Sequence, residues 1–332
     1  MTTFEPEKRD IIDELNELAL RANWGTVDRI DGKPKSVAII QKAIGEIVQL
    51  RKQTEGKKMK YYVVADVHGF YDLMIKALTE KGYFEDKEPH KLVICGDLFD
   101  RGSQAKEMEK FVVDLLEKDE IILIRGNHED LMLDLVNRLD EFVEMGIEHT
   151  HHYRNRTVRT LMDLTESSLG RIKQQSGVVA DRMRATPFLQ KIIPAMKDYL
   201  ETEHFIFVHG WIPCHASGYG GEAGWFNYLE NWREMPKSDW MLARWYNGML
   251  AAFQGCIEPG KTIVCGHWHC SFGHTYLEKK EIKPLKDGEL SPQKVFEDFT
   301  PYYGEGVIAI DACTALSKVV NCIVIEDEEK RA

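Results

Sequence analysis

Aspartate, histidine and asparagine recur in this sequence behind runs of apolar residues. Asp66 and His68 stand in DVHG, after YYVVA at 61–65. Asp97, Asp100 and Arg101 stand in GDLFDRG, after KLVIC at 91–95. Asn127, His128 and Glu129 stand in RGNHE, after IILI at 121–124. His209 follows FIFV at 205–208, and GHWH, with His267 and His269, follows TIVC at 262–265. Hard carboxylate oxygens mixed with imidazole and a carboxamide, without thiolate, suit manganese, iron or zinc rather than calcium or a structural zinc. Too many ligands are present for one ion. A shared carboxylate lets two ions sit about 3.5–4 Å apart, the arrangement used for in-line displacement at phosphorus. Any one fragment alone reads as a solvated loop, and Asn127 alone as a helix N-cap. Packing does not produce the ordered series.

The elements that position these groups are short β-rich runs, closed by VIAI at 307–310 and VVNCIVI at 319–325. Continuous apolar runs of this kind fit a sheet buried on both faces. Helical stripes follow the early runs: Met108, Phe111, Val112, Leu115 and Leu116, then Met132, Leu135, Val136, Leu139 and Phe142. The alternation predicts an α/β architecture, whose strand ends are where ligands bind. Residues 130–200 read as a largely helical insertion, and glycine and tryptophan are dense between 210 and 248, suggesting loops and a lid. Residues 1–57 predict a helical extension of two amphipathic helices, one carrying Ile11, Leu15, Leu18 and Ala19, the other Val37, Ile40, Ile44, Ile47 and Val48. The catalytic unit is then 58–332.

At 332 residues, 43% hydrophobic and 29% charged, the chain can bury a sizeable core. Its 43 basic and 54 acidic residues give a net charge of −11, which argues against a general nucleic-acid or membrane-surface binder but leaves room for a local basic cleft. No apolar run approaches the roughly 20 residues that span a bilayer. The charged start MTTFEPEKRD is unlike a secretory signal, so a cytoplasmic location is expected. Seven cysteines without a CxxC pair read as reduced thiols.

Taken together, DVHG, GDLFDRG, RGNHE, HG at 209–210 and GH at 266–267 resemble the ordered signature of the calcineurin-like metallophosphoesterases. Within these the sequence is most similar to the PPP class of serine/threonine protein phosphatases, including bacterial and phage members. The resemblance implies a β-sandwich of two mixed sheets flanked by helices, a four-layer αββα fold. It implies that Asp66 and His68 hold a first divalent ion, that Asp97 bridges, and that Asn127, His209 and His267 hold a second. Manganese is the expected metal, with iron or zinc as alternatives. The resemblance also makes His128 the acid for a leaving alkoxide and Asp100 its orienting partner, and places Asn127 and Arg101 on the phosphate. Arg101 offers a planar fork that matches two phosphate oxygens, against the plainer reading of a surface salt bridge. For His128 the plainer reading is capping or packing. A second phosphate-binding arginine is expected at Arg244 in WMLARWYN, with Arg233 as competitor.

GHWH departs from the protein phosphatases, which carry one histidine there; His269 could complete the first ion's shell or stand behind it. Cys265, Cys270 and His274 lack the paired spacing of a zinc site, and Cys265 reads as a small core residue. Trp211, Trp225, Trp232, Trp240 and Trp245 read as core and lid aromatics rather than a nucleobase clamp. HTHHYRNRTVR at 149–159 reads as a solvated helix end capable of meeting an anionic substrate. The expected function is hydrolysis of phosphomonoesters, on phosphoserine or phosphothreonine in a protein or on a small phosphoester. The alternatives are hydrolysis of diadenosine tetraphosphate or another nucleotide, and a non-catalytic binding module. The sequence decides neither oligomeric state nor the role of residues 1–57.

Overall fold

Alternate residues of each central strand face two different apolar layers, so both faces must be covered. In the computed structural model, which describes residues 29–30, 33–34, 42–44, 58–217, 224–278 and 298–328, two mixed sheets do this. The strands are β1 (Lys58–Val64), β2 (His90–Cys95), β3 (Ile121–Ile124), β4 (Leu200–Glu201), β5 (Phe205–Phe207), β6 (Thr262–Cys265), β7 (Tyr302–Gly304), β8 (Val307–Ala309) and β9 (Cys322–Glu328). One sheet has the order β9-β1-β2-β3, with β1 to β3 parallel and β9 antiparallel at the edge. The other has the order β7-β8-β6-β5-β4, with three parallel strands between two antiparallel edges.

Tyr61, Val63, Val93 and Cys95 from the first sheet pack against Phe207, Val264 and Ile310 of the second. Their neighbours Tyr62, Val64, Leu92 and Ile94 point the other way, into a layer with Met74, Leu78, Met108 and Leu135. These belong to α1 (Tyr71–Glu80), α2 (Ala105–Leu116) and α3 (Asn127–Asn137). Behind them, α4 (Thr157–Thr165) and α5 (Ser176–Arg184) carry Leu161 and Met183 into the same layer. Over the second sheet lie α6 (Lys237–Ala243) and α7 (Gly248–Phe253), with Trp211, Trp232 and Trp240 in the core beneath. Tyr199 stacks on Trp240 at 5.2 Å and 8°, while Trp225 is exposed. Each fully buried aliphatic side chain contributes about 1.5–3 kcal/mol. The expected four-layer sandwich is present.

Boundaries differ where tertiary pairing overrides local pattern. The final apolar run at 319–325 becomes a strand only from Cys322, because register pairs Cys322 with Val64 and Glu328 with Lys58; Val319 is exposed. The stripe Met132–Phe142 is split at Arg138 into α3 and a short helix, Leu139–Glu144. The edge strands β4 and β7 are too short for any periodicity to show. All seven cysteines are free, and no helix among the described residues is long and apolar enough to cross a membrane.

Contacts divide the chain into Met1–Lys57 and Lys58–Ala332. In the first unit Arg29–Ile30 pairs antiparallel with Lys33–Pro34, and residues 42–44, including Ile44, are helical. The other positions assigned above to its two helices lie outside the described residues.

Asp327, on β9, fastens one sheet to the other. Its carboxylate accepts from Thr202 Oγ1 at 2.6 Å, His204 N at 2.7 Å and His204 Nδ1 at 2.7 Å. Burial pushes the Asp327 carboxyl up, but His204 and Thr202 outweigh it and hold it below its usual range; Asp327 in turn raises His204. A depressed carboxyl stabilises above its unfolded pKa, about 3.9, and a raised imidazole stabilises below its own, about 6.5. The clasp is therefore strongest between about pH 4 and 6.5. The Tm gap between wild type and Asp327→Asn is expected to be wider at pH 5 than at pH 9, by thermal unfolding.

Candidate metal centre

The turns that end the strands are held in backbone conformations that side chains ordinarily avoid. Asp66, His68, Asp97, Asp100, Arg101 and His267 all have φ between 49° and 72°. Each costs about 1–3 kcal/mol and persists only where surrounding structure enforces it. Enforcement comes from bonds between the turns after β1 and β2: His68 N to Asp97 O at 2.9 Å, Gly69 N to Leu98 O at 2.7 Å and Gly102 N to His68 O at 2.8 Å. Close approach supplies the rest. A Cβ at Gly126 would run into Asp97 Oδ1, and one at Gly266 into Asp66 Oδ2.

Six strand ends from both sheets meet here. His68 Nδ1 lies 2.9 Å from Phe99 O, and His209 Nδ1 lies 2.8 Å from Cys95 O. A carbonyl only accepts, so each Nδ1 carries the proton and each Nε2 presents a bare lone pair inward. His68 Nε2 faces Asp97 Oδ2 at 3.7 Å. His209 Nε2 faces Asn127 Oδ1 at 2.8 Å and Asp97 Oδ1 at 3.4 Å. The Asp97, His209 and His267 ligand atoms lie within 4.8 Å of one another, and so do those of His68, Asp97 and His128. Asp97 belongs to both groups. Asp66 Oδ2 accepts from His267 N at 2.9 Å.

The charges are mutually uncomfortable. Burial, then Asp311 and Asp97, pushes the Asp66 carboxyl well above the carboxylate range. Asp311 is pushed up to about 7, burial first and then Asp97. Asp97 feels the same burial, but His209, His128 and His68 outweigh it and hold it low. Burial drives His68 and His209 down, and His267 down to about 3, so these imidazoles are neutral donors.

His128 is the exception. Burial pushes it down, but Asp97 and Asp100 outweigh this and raise it to about 8. Its Nδ1 lies 2.6 Å from Asp100 Oδ2. Asp100 is itself fixed by Thr157 Oγ1 at 2.7 Å and Thr160 Oγ1 at 2.7 Å, both from α4.

A model of the calcineurin-like phosphoesterases matches residues 59–271. The chain belongs to that family. Over 123 residues this phosphoesterase is 29% identical to the asymmetrical bis(5'-nucleosyl)-tetraphosphatase of Bacillus velezensis, covering 35% of this chain and 47% of the relative. Over 112 residues it is 30% identical to serine/threonine-protein phosphatase 1 of Salmonella typhimurium, covering 30% and 49%. The chain thus spans about half the length of the curated relatives it matches. Among solved structures, a cold-active protein tyrosine phosphatase aligns over 82% of this chain and 80% of its own, at 16% identity and a TM-score of 0.39.

Asp66, His68, Asp97, Arg101, Asn127, His128, His267 and His269 line one cavity of about 100 Å³, with Trp245 on its wall. His209 lies directly behind, on Asn127 and Asp97. His269 is partly exposed, with Nε2 3.9 Å from Asp311 Oδ2. Arg244 is not brought into the cavity. Its buried guanidinium is held by Asp130 and Asp198, so contact with phosphate would require those pairs to open. The competitor Arg233 is taken up by Glu201 and Glu258, each at 2.7 Å. His274 bonds Glu278 and Thr300 O, away from any cluster with Cys265 and Cys270.

One buried acid in the site, Asp311, escaped the sequence reading, and another, Glu129, was noted in RGNHE without a role. Asp311 follows VIAI just as the others follow their strands, and that pattern was the available signal. Glu129 gave none. Its carboxylate accepts from Gly126 N at 2.7 Å, Leu98 N at 2.9 Å and Asp97 N at 3.1 Å, clamping the β2 turn to the start of α3. Removing it strands buried N–H groups at about 1–3 kcal/mol each. Glu129→Ala should lower unfolding stability by about 3 kcal/mol or more in urea titration. Glu129→Gln, which keeps an oxygen for part of this set, should lose less.

Proposed function

We propose that this chain is a binuclear metal-dependent phosphoesterase that removes phosphoryl groups from oxygen leaving groups. The carrying observation is the convergence of His209 Nε2, Asn127 Oδ1 and Asp97 Oδ1 as acceptors with no proton among them. A cation relieves that arrangement, and the mix of imidazole, carboxylate and carboxamide fits a transition metal. Asp66, His68 and Asp97 would hold one ion; Asp97, Asn127, His209 and His267 the other. When bound, two divalent ions supply a hydroxide nucleophile near neutral pH and neutralise charge on the phosphoryl oxygens.

The chain's own groups do the rest. Arg101, on the cavity wall, presents its guanidinium to two phosphoryl oxygens and orients the group. His128 donates its proton to the departing oxygen, and Asp100 keeps the ring turned for that transfer. Both expected substrate classes, phosphorylated protein side chains and nucleotides, present the same group to these residues. A binding module would have no use for an acid held by two threonines and an aspartate.

With Mn²⁺, p-nitrophenyl phosphate should be hydrolysed, and EDTA or Asp97→Asn should abolish turnover. Metal-loaded protein inactive on every phosphoester would favour the binding module. On a substrate with a poor leaving group, His128→Ala is expected to keep its metal, by elemental analysis, while kcat falls roughly 10²–10⁴-fold. Unchanged kcat would remove the acid role.

A further inference from the structure

A second cavity, of about 440 Å³, adjoins the metal centre and shares Arg101, Asn155 and Ala315 with it. Among the described residues its wall carries four cations, Arg101, Arg154, Arg156 and Lys318, and no carboxylate. Among the described residues none of the four is ion-paired within 4.0 Å. In a chain with 54 acidic residues against 43 basic, an acid-free cluster of this kind concentrates a positive field at one place. Two of these side chains are also held, and three of the four backbones are in the left-handed region. Arg101, Arg156 and Lys318 have φ of 56°, 65° and 59°, Arg156 Nη1 reaches Arg101 O at 3.4 Å, and Lys318 Nζ donates to Ala315 O at 2.6 Å and sits 5.0 Å over the Phe70 ring.

We propose that Arg154, Arg156 and Lys318 form a second anion subsite, which takes a further phosphate of the substrate whose terminal phosphoryl group lies at the metal centre. This rests on the phosphoesterase reading and narrows its substrate to a phosphoanhydride chain. An extended acidic peptide brings a side chain to one face only every ~6.6 Å, so it offers this cavity a single charge. A phosphoanhydride chain carries charge on every phosphorus, which matches three free cations beside Arg101. In the reaction, water oxygen bonds the terminal phosphorus and the bridging P–O bond breaks. The leaving phosphate oxygen takes the proton, giving inorganic phosphate and a chain one unit shorter.

The test compares kcat/KM of the full Mn²⁺-loaded chain on tripolyphosphate, p-nitrophenyl phosphate and a phosphothreonine peptide with acidic flanks. Arg154→Gln and Lys318→Gln, both at exposed positions, should each lower the tripolyphosphate to p-nitrophenyl phosphate ratio about tenfold, through KM, the loss of one charge-assisted contact. An unmoved ratio overturns the subsite, as does a loss confined to the acidic phosphopeptide. Failure of all three substrates overturns the catalytic reading instead. In that case calorimetry of tripolyphosphate on metal-free protein decides the subsite: weaker binding by the variants supports it, and equal binding overturns it.

Discussion

Three carboxylates, Asp66, Asp97 and Asp311, are buried together between two sheets, and their repulsion is the constraint around which the molecule is organised. A hydrophobic sandwich does not accept such a group of like charges without compensation. Compensation comes from backbone N–H groups of His267, His128 and Cys313, which donate to the three acids. It comes also from His128, the one imidazole of this cluster raised in pKa. The neutral histidines offer lone pairs, which add to the demand for positive charge.

Meeting that demand shapes the chain well beyond the site. Of the eleven described non-glycine residues with positive φ, eight line the metal centre or the basic cavity beside it and Asp100 stands behind His128; Asp119 and Glu166 are the others. Strain of this density is tolerable because the parallel strands beneath are among the best-buried parts of the fold, with Val63, Val64, Val93 and Ile94 fully enclosed. The candidate ligands come from both sheets, so the face-to-face packing of Tyr61, Phe207 and Val264 sets their separation.

What could be read from sequence was whatever repeats along the chain. Strand after strand ends in a polar residue, and that repetition exposed Asp66, Asp97, Asn127, His209 and His267 together with the layered architecture. What could not be read is held by partners distant in sequence or by backbone. Thr157 and Thr160 reach Asp100 across 57 and 60 residues. Glu129 binds only main-chain donors. Arg244 looks like a free cation on an amphipathic helix until folding brings Asp130 and Asp198 to it. Asp311 lacked a neighbouring histidine to draw attention to it.

Helix α4 grips the aspartate behind His128, and the short helix and turn that lead into it carry Arg154 and Arg156. On the proposed roles, a segment outside the proposed ligand set would govern both how readily a leaving oxygen is protonated and which anions are drawn to the rim. Exchanging that stretch between relatives would retune chemistry and selectivity as one module while the metal-binding frame stayed as it was.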